Sequence, residues 1–169
     1  MKNAPFFVAQ KTGMKLALYI SINKKLGVNS LVGLLVVTHG SFSKELIKSI
    51  ELIIGHQKTV EALTLEEGDD VNKLREEVEK KTEELDQGDG VLVLVDLLGG
   101  SPWNVSSICT KKEAVECVSG LNMPMLLEAI ESREACALQE LKQICMKAAV
   151  EGVVSARELF AGCSEDSED

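Results

Sequence analysis

Two unbroken apolar runs, LVGLLVVT at 31–38 and VLVLVD at 91–96, have the length and continuity of strands covered on both faces. The segments that follow them change period. In SFSKELIKSIELIIG, residues 41–55, Phe42, Leu46, Ile47, Ile50, Ile53 and Ile54 fall at helical spacing, a serine stands ready to cap the start and Gly55 ends the run. TVEALTL at 59–65 alternates as a short strand does. Within 67–90, Val71, Leu74, Val78 and Leu85 form one helical stripe among charges, closing on Gly88 and Gly90. After LLGGSP a third helix is expected, with Pro102 in its first turn and Ser101 as its cap. AVECVSG at 114–120 reads as the fourth strand, 123–134 and 135–152 as two amphipathic helices, and VVSARELF at 153–160 as a short strand or helix.

Strand and helix alternating four times with short connections imply right-handed crossovers and a parallel sheet, so the fold class is α/β, doubly wound. Ligands of such sheets gather beyond the carboxyl ends of the strands, where the strand order reverses. The first strand delivers His39 at that end and the third delivers Asp96. If those strands are neighbours, imidazole and carboxylate share one crevice.

A carboxylate beside a histidine fixes the tautomer: the nearer N–H donates to the acid and the other nitrogen keeps its lone pair. His39 is then a general base or a nucleophile. No GxSxG elbow supplies a separate nucleophile, which makes attack by histidine itself the simpler chemistry. The loop DLLGGSPWN, 96–104, offers a phosphoryl cradle opposite it. Gly99 and Gly100 let backbone N–H groups turn inward, Ser101 carries a hydroxyl, and Gly40 lets the chain turn away after the histidine. Neither a Walker sequence nor GxGxxG is present, so the phosphate is expected to arrive on another molecule rather than as a nucleotide.

Composition narrows the rest. The net charge of −9, with no basic run, leaves no electrostatic footprint for nucleic acid or an anionic membrane. No stretch reaches the ~20 apolar residues of a membrane span. The five cysteines, Cys109, Cys117, Cys136, Cys145 and Cys163, show no CxxC and no pairing with His39 or His56, so they read as small hydrophobes in a reducing cytoplasm, with no metal and no cofactor expected. His56 is expected on the surface, and Met123 and Met125 in the core. Residues 1–30, basic and unlike the remainder of the chain, are expected to be a non-native or mis-started leader, the true start lying near Leu31. Residues 31–162 would form the phosphotransfer domain and 163–169 an acidic disordered tail.

The segments 33–55, 90–107 and 118–130 resemble, in order and spacing, the IIA component of the mannose-class (mannose, fructose, sorbose) sugar phosphotransferase system. The D-x-x-G-G-S-P-x-N loop followed by G-x-N-x-P-M-L carries the likeness, which spans roughly residues 32–160. The resemblance implies a central four-stranded parallel sheet of order 2-1-3-4, with a C-terminal strand that some members exchange to form a homodimer. It also implies that His39 accepts a phosphoryl group from the carrier protein HPr and passes it to a separate IIB component, which phosphorylates the sugar during uptake. Asp96 would orient the ring, and Ser101 with the surrounding backbone would receive the phosphoryl oxygens. Association with the membrane would come only through the permease. Leu97 and Leu98 replace a threonine or aromatic residue frequent in the family, and Trp103 a phenylalanine, which suggests a changed partner preference. Docking around an exposed histidine would use an apolar rim to which Phe42, Leu98, Trp103 and Met123 contribute. The phosphotransfer subunit of a dihydroxyacetone kinase is the alternative of the same fold, and a phosphorylation-dependent regulatory module the alternative of another class.

Overall fold

The computed structural model describes residues 31–161. The expected leader at 1–30, the tail at 163–169 and Cys163 lie outside the described residues. Strands β1 (Gly33–His39), β2 (Val60–Leu65), β3 (Val91–Val95) and β4 (Val115–Ser119) pair in parallel in the order β2-β1-β3-β4. Helices α1 (Phe42–Ile54), α2 (Val71–Leu85) and α3 (Ser101–Ser107) follow the first three strands. A 3-10 turn at Ile108–Lys111 leads into β4, and α4 (Met123–Ser132), α5 (Leu138–Glu151) and α6 (Ala156–Ala161) complete the chain.

The apolar runs are continuous because each central strand feeds two cores. Side chains alternate across a sheet with period two. Leu34 and Val36 of β1 and Leu92 and Leu94 of β3 pack into the core formed with α1, α4 and α5. Their neighbours Leu35 and Val37, Val91, Val93 and Val95 pack into the core under α2 and α3. Every one of these nine residues is fully buried. With both faces covered, no polar residue fits until the strand ends, and that is where Thr38, His39 and Asp96 stand.

Several helix details depart from expectation. Ser41 occupies the N-cap position of α1 but makes no side-chain cap bond; Thr38 Oγ1 instead accepts the Ser43 N–H at 2.8 Å. Gly100, not Ser101, caps α3, and Ser101 is its first helical residue. Phe42, Ile53 and Val71 lie outside the buried stripes, because each packed face is narrower than the run of apolar positions. Met125 is buried and Met123 half-buried against the same core. The segment after α5 forms the short helix α6 rather than a strand of this sheet, so among the described residues the sheet stops at four strands.

One buried cation holds the amino-terminal edge of the sheet. Arg133, at the turn between α4 and α5, donates to the carbonyls of Thr59 at 2.9 Å and Lys58 at 2.5 Å, where Thr59 has φ of 58°. Its removal takes a donor from each carbonyl, leaving that of Thr59 with the Leu34 N–H at 3.2 Å. Arg133→Met is expected to cost about 3 kcal/mol, read as a lower denaturation midpoint in urea, while the sheet end bearing His39 is unaffected.

Candidate functional site

The strand order reverses between β1 and β3, and α1 and α3 depart from them to opposite faces. That crevice receives His39 and Asp96. The Nδ1–H of His39 donates to Asp96 Oδ2 at 2.9 Å, and the backbone N–H of His39 donates to the same oxygen at 2.9 Å. Asp96 Oδ1 accepts the Leu97 N–H at 2.8 Å. Burial alone would raise the Asp96 carboxyl, but the backbone N–H of His39, its ring and the Leu97 N–H together outweigh it and hold the carboxyl below its ordinary value. Asp96 is therefore an anion at neutral pH. Its side chain is 18% exposed and that of His39 44%, so the carboxylate is sheltered while the ring reaches solvent.

With Nδ1 engaged, Nε2 keeps its lone pair and faces outward beside the 97–101 loop. Period two explains the direction: His39 shares its face with Val37, toward α3, while Thr38 shares its face with Val36, toward α1. Gly100 meets the ring closely enough that an added Cβ would lie 2.7 Å from Cε1 and 3.3 Å from Nε2. Its φ of −70° suits any residue, so glycine serves here for space.

The loop differs in one respect from a cradle lined by glycine N–H groups. The Gly100 N–H already donates to the Leu97 carbonyl at 3.2 Å, and the Gly40 N–H to that of Leu65 at 2.9 Å. Gly40 and Gly99, at φ of 53° and 80°, contribute backbone shape. The N–H groups of Ser101 and Trp103 belong to the first turn of α3, which no intrahelical carbonyl reaches, and the Ser101 hydroxyl lies beside them. The Asn104 side chain donates to the Gly99 carbonyl at 3.2 Å and pins the loop. Asn104 lay within the loop the sequence singled out but without a role of its own, and Thr38 and Ser43, which adjoin the histidine, were not marked by composition or spacing. The available signal was a threonine interrupting a buried strand one residue before the histidine.

The ring is 44% exposed, and apolar side chains stand on the segments that follow the strand ends. Phe42, Leu97 and Leu98 are exposed, with Trp103 and Met123 half-buried. The crevice lined by Thr64, Asp69, Asp70, Lys73 and Glu77 lies one strand away and contains neither His39 nor Asp96. His56 lies beyond the far end of α1, exposed and bonded to Glu51 at 2.7 Å. The four described cysteines are free, and burial pushes the thiols of Cys117 and Cys145 up to about 12 and that of Cys136 to about 11. They pack as small hydrophobes. No group of three or more His, Cys, Asp or Glu gathers for a metal among the described residues, and no described helix is long and apolar enough to cross a membrane.

The model of the fructose IIA component of the phosphotransferase system matches residues 33–146. The chain belongs to this IIA family. It is 34% identical over 124 residues to the mannose-specific EIIAB component of Escherichia coli K12, an alignment covering 72% of this chain and 38% of that protein. The chain thus spans well under half of that relative's length. It is 29% identical over 112 residues to the fructose-specific EIIA component of Bacillus subtilis, covering 66% of this chain and 77% of that one. Among solved structures, an EIIA component from Streptococcus agalactiae superposes with a TM-score of 0.69 at 32% identity, covering 74% of this chain and 97% of the other. The IIA protein associated with the fucose utilization operon of Streptococcus pneumoniae gives 0.70 at 29%, covering 77% and 96%. The family match falls on the doubly wound body and takes in both strand ends of the crevice, so this IIA fold and the histidine–aspartate pair occupy the same stretch of chain.

Proposed function

We propose that this IIA protein relays a phosphoryl group through His39 Nε2, taking it from the phosphohistidine of HPr and passing it to a IIB component for sugar uptake and phosphorylation. The carrying observation is the pair of 2.9 Å bonds from His39 to one sheltered oxygen of Asp96, which leaves an exposed nitrogen lone pair at a strand end. In the first transfer the donor's P–N bond breaks, its nitrogen retaining the electron pair, while the Nε2 lone pair forms a new P–N bond. Like bonds are exchanged, so the step is nearly balanced and positioning with charge stabilisation governs its rate. Asp96 compensates the charge that the ring acquires. The Ser101 hydroxyl and the first-turn N–H groups of α3 receive phosphoryl oxygens; Gly40, Gly99 and Gly100 give the loop its shape and keep the approach clear. The open rim of Phe42, Leu97 and Leu98 suits a protein partner better than an enclosed small molecule.

Incubation with enzyme I, HPr and labelled phosphoenolpyruvate tests this directly. Acid-labile, alkali-stable label on the peptide containing His39, chased to IIB on its addition, is the expected result. Label on another residue, or none, overturns the reading; label that no IIB removes favours a regulatory role. Gly100→Ala should slow labelling by about tenfold to a hundredfold, because the methyl displaces the ring from Asp96 while the fold is kept. An unchanged initial rate would show that the close approach is immaterial.

The protein is further proposed to act as a homodimer. Val153, Val154 and Phe160, on the segment after α5, are 77%, 67% and 70% exposed, a set of apolar side chains that a second copy would cover. Val154→Lys with Phe160→Lys should convert the dimer to monomer in sedimentation equilibrium.

A further inference from the structure

We propose that Thr38 and Ser43 are positioning residues for the transfer through His39, a buried hydroxyl pair that clamps the chain on both sides of the histidine. The role rests on the phosphoryl-relay reading above. Six polar or charged residues are buried among the described ones, and two of them flank His39: Thr38 and Ser43, both fully buried. Thr38 Oγ1 accepts the Ser43 N–H at 2.8 Å, and Ser43 Oγ donates to the Leu63 carbonyl of β2 at 3.0 Å. The Gly40 N–H reaches the next inward-facing carbonyl of that strand, Leu65, at 2.9 Å. Residues 39–42 are therefore a short bridge between points anchored to each other and to β2.

The way α1 is capped points to position rather than helix stability as the purpose. Ser41 stands at the N-cap and could satisfy a first-turn N–H itself, yet it makes no cap bond. A cap from Ser41 would tie the helix only to its own turn. A cap from Thr38 ties it to the strand residue adjoining the histidine. Because successive strand residues face opposite ways, Thr38 holds α1 on one face while His39 projects toward Gly100 on the other. Any slip of the Thr38–Ser43 contact rotates the strand end and swings Nε2 away from the loop. Neither hydroxyl touches the phosphoryl group: one P–N bond breaks and one forms at Nε2, and the pair sets only where Nε2 stands.

Thr38→Val keeps the branched shape and removes the acceptor; Ser43→Ala is milder, since Thr38 still receives its N–H. With the full chain, enzyme I, HPr and labelled phosphoenolpyruvate in a quench-flow instrument, Thr38→Val should lower kcat by about tenfold and Ser43→Ala by about threefold, while KM for phosphorylated HPr stays within about twofold. Thr38→Ser, which keeps the oxygen, should restore kcat. Circular dichroism at the assay temperature confirms that each variant is folded, and Ser43→Ala carries the comparison if Thr38→Val is not. Wild-type protein that takes no label defeats the relay reading itself. Wild type that labels beside folded variants at wild-type kcat, or variants altered only in KM, overturns the positioning role.

Discussion

His39→Ala is expected to take up no acid-labile phosphoryl label from phosphorylated HPr, while its denaturation midpoint stays close to that of the wild type. Among the described residues, the ring is the group in the crevice with a free nitrogen lone pair directed outward, so removing it removes the acceptor rather than weakening it. Stability should change by about 1 kcal/mol or less, because the side chain is 44% exposed and the Asp96 carboxylate retains the N–H groups of residue 39 and Leu97. His39→Gln should be equally inactive. A carboxamide nitrogen is polar and similarly placed, but its lone pair is delocalised into the carbonyl. Residual label on either variant would place the phosphoryl group elsewhere.

Asp96→Asn is expected to slow transfer by on the order of 10²- to 10⁴-fold with the fold intact. The carboxylate accepts three N–H donors, two on Oδ2 and one on Oδ1, and a carboxamide has only one accepting oxygen. If that oxygen keeps both bonds from residue 39, the amide nitrogen confronts the Leu97 N–H. If the amide is reversed, its nitrogen confronts the His39 N–H and drives the ring to the tautomer protonated at Nε2, which has no lone pair for attack. Either way the negative charge opposite the ring is lost. Initial rates of labelling, with ¹⁵N spectra reporting the His39 tautomer, separate these outcomes, and a wild-type rate would remove Asp96 from the chemistry. The acid side carries a further signature. Since the folded Asp96 carboxyl lies below its ordinary value of 3.8, its contribution to stability is complete above that pH and fades as pH falls through the lower folded value. Wild type and Asp96→Asn should therefore differ in stability at neutral pH and converge toward strongly acidic pH.

Much of this site was legible in the residues alone. Buried parallel strands tolerate no polar residue until they end, so two apolar runs finishing in histidine and aspartate identified a crevice once the strand order was known. The loop glycines were legible as a group but not in their separate roles. Gly100 read as a backbone donor, yet its N–H is spent on Leu97 and its worth lies in the missing Cβ against His39. Ser101 read as a cap, yet the helix begins one residue earlier. Both depend on which atoms a turn brings within 3 Å, a matter that residue type does not specify.

Arg133 and Thr59 are 74 positions apart, and nothing in either neighbourhood marks them as partners. Thr38 is similar: a threonine in a strand is ordinary, and its use as the cap of the next helix follows from the direction in which α1 leaves the sheet. For VVSARELF, apolar and charged residues in eight positions suit either short element, and the intramolecular structure forms a helix.

By itself the sequence determined the alternating α/β architecture, the strand ends that carry His39 and Asp96, and the glycine-rich loop opposite them, because hydrophobic period and turn chemistry are local properties. The tertiary structure alone decided the ring's tautomer-fixing bond, the space left by Gly100, and the clamp of Thr38 and Ser43. Each of those is a contact between segments whose separation is set only when both faces of the sheet are packed.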